Sequence, residues 1–396
     1  MKRTVIVALI TCLVLLAGFA VYYNAWERPP EIDVLKVGFV FENDESAPFT
    51  YNFYLSQRAL EQQMGERVEI ISRSNVLENE TETPLRELAG EGCGIIFAIT
   101  DSDQVMGVAE KCPQTQFCQV SRFNTDGVPM PANYHTFNAR MDGVRYLGGV
   151  AAGMKLRELL DAGQLSPEEA LVGFVGAKAK PEVISAYTAF LLGVRSVAPE
   201  ARMLVKYTDT WCSYSREKAA AEALILKGCR VITQQTHTNG PVAACDAAAE
   251  KQPVFLVGSD QNTIDLAPMA TLVSVRPNWT PYVTGAVEAV LSGRRIERSV
   301  AASANGSDLW AGLDRDWAQV LEVNALVAAP DTQAQLDRLA EQLRSGRLSV
   351  FTGDYRGVDP ENPADTVDLK NGYPEYERSS YPTFHYVLED YITVLE

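Results

Sequence analysis

Six short runs carry the side chains whose types and spacing could do chemistry. They are Phe49-Thr50-Tyr51-Asn52, Thr100-Asp101-Ser102, Thr208-Asp209-Thr210-Trp211, Gln234-Gln235-Thr236-His237, Gly258-Ser259-Asp260-Gln261 and Asn278-Trp279. They combine aromatic faces with carboxylates, amides and hydroxyls, and hold few fixed cations. That mixture suits a flat, neutral ligand rich in hydroxyl or amide groups. A purine can stack between aromatic faces, and a carboxylate can accept bonds from two adjacent sugar hydroxyls. The candidate ligand-binding residues are Phe49, Tyr51, Asn52, Thr100, Ser102, Trp211, Gln234, Thr236, His237, Asp260 and Trp279. Each has a structural alternative. Trp211 can cap a core, and Asp260 can cap a helix N-terminus. Phe49 and Tyr51 can be core residues, and His237 a hydrogen-bonded loop residue. Their shared place after predicted strands, where open α/β sheets bind ligands, argues for a site.

The search for catalytic machinery finds nothing comparable. There is no G-x-x-x-x-G-K-[ST] loop, no G-x-G-x-x-G after the first strand, no G-x-S-x-G elbow and no H-E-x-x-H. His135, His237 and His385 are the only histidines, and no paired C-x-x-C offers a zinc site. The expectation is a binding protein without catalytic residue, metal or cofactor.

The elements that must position these runs follow from the hydrophobic pattern. Strands are expected over 34–41, 67–72, 94–99 and 116–120, with helices over 49–64, 83–89 and 104–111. A second set of strands is expected over 170–175, 203–207, 230–234 and 254–257, with helices over 181–197, 213–226 and 241–250. Strand followed by helix, repeated, predicts an α/β fold with parallel sheets flanked by helices. The spacings repeat. Val34, Val68, Ile95 and Phe117 are 34, 27 and 22 residues apart; Leu171, Leu204, Val231 and Val254 are 33, 27 and 23 apart. Two related lobes are therefore expected. The chain should cross between them near 135–138, 272–275 and 310–313. Arg145-Tyr146-Leu147-Gly148-Gly149-Val150-Ala151-Ala152-Gly153 reads as a tightly packed soluble helix, too polar with Lys155 and Arg157 to span a bilayer. The expected division is 1–26 signal or anchor, 27–33 linker, 34–138 plus about 274–306 one lobe, 139–273 plus about 307–350 the other, and 351–396 a tail. The tail is rich in Pro and Tyr. It should wrap one lobe and end in a short strand or helix near 386–395.

The 396 residues hold 35 Lys+Arg against 51 Asp+Glu, a formal charge of −16, so nucleic acid and anionic membrane surfaces are poor partners. Hydrophobic residues at 46% and charged ones at 22% place the chain among globular proteins with a proper core. Met1-Lys2-Arg3 precedes an uncharged apolar run over 4–23. This is either a retained membrane helix with Tyr22, Tyr23 and Trp26 at the outer interface, or a cleaved signal with Gly18-Phe19-Ala20 near its cut. Thr11 and Ile10 disfavour a lipid on Cys12. Either reading places the rest of the chain outside the cytoplasm. Six further Cys permit disulfides there, Cys93–Cys112 and Cys229–Cys245 being short links, or else remain buried thiols.

The ordered motifs resemble the basic membrane protein family of ABC-transporter solute-binding proteins. The resemblance runs through the helix of Arg145–Gly153 quoted above, Val172-Gly173-Phe174-Val175, Pro181-Glu182-Val183-Ile184, Asp209-Thr210-Trp211, Val257-Gly258-Ser259-Asp260-Gln261 and Val350-Phe351-Thr352-Gly353. It implies a type I periplasmic-binding-protein fold: two Rossmann-like lobes joined by a multi-strand hinge. It also implies a monomer that gives a purine nucleoside or base to an ABC permease. Phe49 then stacks on the base, Trp211 matches an aromatic of one branch, Asp260 holds ribose hydroxyls or a base amine, and Asn278-Trp279 matches a paired motif. Ser46-Ala47-Pro48 and His237 depart from the family's Asp-containing loops, so ligand identity is where this chain can differ. The alternatives are a membrane-anchored ligand-sensing ectodomain without transport, and a nucleoside hydrolase.

Overall fold

The computed structural model describes residues 33–122 and 130–396. The expected anchor, with its cleavage and lipidation alternatives, lies outside the described residues. Among the described residues, no helix is long and apolar enough to cross a membrane.

The first half runs β1 (Leu35–Phe41), α1 (Pro48–Met64), β2 (Val68–Arg73), α2 (Glu82–Gly90), β3 (Cys93–Ile99), α3 (Gln104–Lys111), β4 (Gln116–Val120) and β5 (Tyr134–Ala139). The second runs α4 (Asp142–Asp161), β6 (Leu171–Gly176), α5 (Pro181–Arg195), β7 (Arg202–Tyr207), α6 (Tyr214–Leu226), β8 (Val231–Gln235), α7 (Gly240–Ala249), β9 (Phe255–Ser259) and β10 (Thr271–Pro277). The chain then adds α8 (Thr280–Leu291), α9 (Ile296–Ser299), β11 (Ser303–Asn305), β12 (Asp308–Ala311), β13 (Ala318–Val320) and α10 (Thr332–Arg344). The C-terminal segment holds β14 (Arg356–Val358), β15 (Thr366–Asp368) and β16 (Ile392–Leu395).

Each lobe is built on a seven-stranded sheet. The first five strands of each half run parallel, ordered β2-β1-β3-β4-β5 in the first sheet and β7-β6-β8-β9-β10 in the second. The same topology occurs twice, as the repeated spacings predict. Strand side chains alternate between two cores because successive residues point to opposite faces. Ile95, Phe97 and Ile99 enter one core of the first sheet, and Ile96 and Ala98 the other. Such runs, buried on both faces, are what a helix-covered parallel sheet requires.

In the second lobe α4 lies directly against α5. A Cβ on Gly149 would overlap the Phe190 carbonyl oxygen, and one on Gly193 the Tyr146 carbonyl oxygen. The small-residue motif is thus a backbone-to-backbone contact within the second lobe.

The chain passes between sheets after β5, after β10 and after β12. Two details differ from the expected division. β10 stays in the second sheet through Pro277, because the strand is continuous to that residue. Asp308–Ala311, expected in the second lobe, pairs in parallel with β5 of the first sheet. The tail belongs mainly to the second lobe: β16 pairs with β7 at the sheet edge, and Phe384, Leu388 and Ile392 are buried in that core. No disulfide forms among the six described cysteines, so the short links Cys93–Cys112 and Cys229–Cys245 are absent. Cys93, Cys118, Cys229 and Cys245 are buried thiols.

Candidate functional site

In a 2-1-3-4-5 sheet the loops after the first and third strands leave in opposite directions and open a crevice. Here two such crevices face each other. Between them lies a cavity of about 120 Å³. Of the residues expected to bind ligand, Phe49, Thr100, Trp211, His237, Asp260 and Trp279 line it. Tyr51, Asn52, Ser102, Gln234 and Thr236 do not.

Three rings make the aromatic part. Phe49 sits in the first turn of α1, after Pro48, which is pre-set for a helix start. Its ring stacks on His237 of the other lobe, with centroids 4.6 Å apart and planes 5° apart. His237 also stacks on Trp211, at 5.2 Å and 21°. Burial pushes the His237 pKa down to about 4, against the pull of Asp101, so the imidazole is neutral at pH 7. Trp279 is a supporting ring: it stacks on Phe53 at 5.0 Å and meets Phe49 edge-on at 6.0 Å.

Carboxyls make the polar part. Asp260 follows β9 with a left-handed φ of 67°. Burial pushes its pKa up to about 6, with Arg145 and Ser259 opposing. Arg145, buried on α4, donates to the Gln234 carbonyl at 2.9 Å and to Ser259 Oγ at 3.0 Å. Glu42, after β1, accepts from Thr100 Oγ1 at 2.6 Å and from the Asp101 backbone N–H at 2.9 Å. Burial pushes Glu182 up to about 7, reinforced by Asp101 and opposed by Lys180. Lys180 itself reaches across to Asp101 at 3.2 Å. Among the described residues, the lining holds Glu42, Asp101, Asp142, Glu182 and Asp260 against one cation, Arg145. An anion would meet repulsion here, whereas a neutral donor-rich molecule would find acceptors. Trp211 Nε1 and Gln235 Oε1, both buried, have no hydrogen-bond partner among the described residues. A ligand can supply them.

The residues that miss the cavity have other work. Asn52 donates to the Pro48 carbonyl at 3.0 Å and to the Asp260 carbonyl at 2.8 Å, tying α1 to the opposite lobe. Gln234 Nε2 donates to the carbonyls of Thr236 at 3.1 Å and Thr238 at 2.8 Å, which fixes the loop that carries His237. Ser102 Oγ accepts from the Gln104 backbone at the start of α3. Tyr51 lies beneath the Arg58 guanidinium, 5.7 Å from its ring centre. All these face away from the cavity although their neighbours in sequence line it.

Sequence reasoning did not include Arg145, Glu182 or Gln235 among the binding residues. Arg145 gave a signal: a charge within a stripe of Gly and Ala needs a buried partner. Glu182 lay within the quoted Pro181–Ile184 motif. Tyr376 and Pro382 of the tail also line the cavity, and nothing in their spacing announces it. Outside the cavity, Asp359, Asp365 and His385 bring potential metal-ligating atoms within 4.8 Å of one another.

Comparison with known proteins fits this geometry. A family model described as "ABC transporter substrate-binding protein PnrA-like" matches residues 35–344. A purine-binding protein of Brucella abortus is 26% identical over 330 residues, covering 82% of this chain and 85% of its own. A putative ABC transporter glucose-binding protein of Haloferax volcanii is 26% identical over 280 residues, 70% of this chain and 64% of its own. The solute-binding protein structure of an ABC transporter system from Aeropyrum pernix superposes with a TM-score of 0.65 at 16% identity, over 79% of this chain and 92% of that one, which shows the shared fold.

Proposed function

The chain belongs to the family of PnrA-like ABC transporter substrate-binding proteins, and we propose that its cargo is a purine nucleoside or purine base, captured between the lobes for an ABC permease. Solute-binding proteins of this kind work outside the cytoplasm. The proposal includes tethering through the N-terminal apolar segment, or release after its cleavage, and a monomeric working form.

The observation that carries the purine reading is the stack of Phe49 on His237 across the cleft. At 4.6 Å between centroids no third ring fits between them. Because the two rings belong to different lobes, opening the cleft separates them. A planar ligand entering there finds Phe49 on one face and the His237–Trp211 pair on the other. Closure then favours the liganded state, since only a closed cleft gives the ligand contacts to both lobes. Asp260 would accept from sugar hydroxyls or a base amine. Nothing in this action needs a catalytic group.

The Haloferax relative's name supports a second reading, a hexose. Aromatic faces and carboxyls suit sugars too, but three stacked rings favour a flat heterocycle over a puckered one. A thermal-shift screen of residues 32–396 against purine bases, nucleosides, hexoses and amino acids decides. Ligand at a hundredfold excess over Kd adds about 2.7 kcal/mol of stability. A shift with purines alone supports the proposal, and a shift with hexoses alone replaces it. Release of free base from a nucleoside would instead support the hydrolase alternative. Binding without any permease partner would support a sensing ectodomain.

A further inference from the structure

The family match ends at residue 344, yet the chain continues and returns to the cleft. We propose that the C-terminal segment 376–382 is part of the ligand site: a side wall, pinned to both lobes, that touches the bound ligand and holds the lobes together. Three sets of contacts carry this.

The first is position. Tyr376 and Pro382 line the same cavity as Phe49, Trp211 and Asp260. Tyr376 is buried and its backbone is held in the left-handed region, at φ 58°. A bulky residue adopts that conformation only where its surroundings fix it. Tyr381 shares a hydrogen bond with Glu182, another lining residue.

The second is the anchor on the second lobe. The Phe384 backbone N–H donates to Glu375 Oε2 at 3.0 Å, which closes the base of the segment on itself. Phe384 stacks on Phe351 at 4.6 Å within the second-lobe core. β16 then extends the second sheet.

The third is the anchor on the first lobe. Ser380 N–H donates to Asp308 Oδ2 at 2.8 Å, and Asp308 Oδ1 also accepts from Thr136 at 2.8 Å. Asn305 Nδ2 donates to the Arg378 carbonyl at 3.0 Å. Asp308 and Asn305 lie on β12 and β11 of the first sheet and outside the cavity. A segment fixed to both lobes resists their separation, so ligand must leave more slowly than two lobes alone would allow.

The inference rests on the cleft being the ligand site; purine specificity enters only through the probe. Inosine binding is measured by calorimetry and stopped-flow for the full exported protein and for Tyr376→Gly, Asp308→Ala and Asn305→Ala. Tyr376→Gly removes the ring and relieves the backbone. The other two free the first-lobe anchor without touching the cavity. Each is expected to weaken binding about tenfold, the equivalent of one hydrogen bond or ring contact, and the anchor variants through faster dissociation. Unchanged affinity and dissociation in all three would overturn the wall. Small-angle scattering of the unliganded protein gives an answer that needs no purine. Freeing the anchor is expected to raise the radius of gyration. If the wild type does not bind inosine, the purine reading fails by itself. An unchanged radius in both anchor variants then overturns the wall, and an increased radius supports it. Should Asp308→Ala not fold, Asn305→Ala, at an exposed side chain, gives the same test.

Discussion

The phenyl ring of Phe49 and the imidazole of His237 lie 5° from parallel and 4.6 Å apart, although 188 positions and a lobe boundary separate them. Trp211 extends the stack from the far side of the cleft. A neutral imidazole suits that place. It presents a flat face without the desolvation cost of a charge, and beside Trp211 it makes the second lobe's face aromatic.

Trp211 divides binding from stability. It packs at the edge of its lobe's core and lines the cavity. Trp211→Ala removes the ring that backs His237 and is expected to weaken nucleoside binding by about 1 kcal/mol, the worth of one aromatic pair. The melting temperature of the unliganded protein should hardly move. A large loss of unliganded stability would make Trp211 a core residue instead.

His237 makes stability depend on pH in a defined window. Its pKa falls from 6.5 unfolded to about 4 folded. The stability it contributes is full above pH 6.5 and is lost as pH falls through 4. Asp260 acts oppositely: its pKa rises from 3.8 to about 6, so its contribution is full below 3.8 and lost by the time pH passes 6. Comparison of wild type with His237→Gln cancels the Asp260 part. The wild type should lose about 3 kcal/mol relative to the variant between pH 6.5 and 4. Parallel stability curves would contradict a half-buried neutral imidazole.

Arg145→Met should act on both lobe stability and Asp260. It removes donors from the Gln234 carbonyl and Ser259 Oγ, which costs about 2–3 kcal/mol in denaturant unfolding. It also removes the positive charge that opposes burial of Asp260, so that carboxyl should titrate above 6. Nucleoside affinity at pH 7 should fall and recover at higher pH. A pH-independent affinity loss would separate Asp260 from ligand binding.

The cysteines can be read by alkylation. Cys212 is exposed and Cys112 half-buried, while the other four are buried. Burial pushes Cys93 up to about 11 and Cys118 and Cys229 up to about 12. Native protein should label at Cys212 first, then Cys112. All six should label after unfolding without reductant. Any described cysteine that stays unlabelled then would reveal a disulfide.

What the sequence determined by itself is the doubled architecture. Strand and helix periods are local, and their repeated spacings, from Val34 and from Leu171, carry the same strand order twice. The loop chemistry was legible to the level of a run: each quoted segment reaches the cleft or its support. Which residue of a run faces the cavity was not. Gln235 lines it while Gln234 ties its loop, and Asp260 lines it while its own carbonyl holds Asn52. That choice turns on backbone direction after a strand ends, where no period constrains side chains. Arg145 and Glu182 stood in quoted motifs without a role in binding, and Tyr376 and Pro382 came only with the tertiary structure. A helix face, a crossing point and an aperiodic tail meet at one cavity because two lobes pack against each other. Contacts of that separation in sequence leave no local pattern to read.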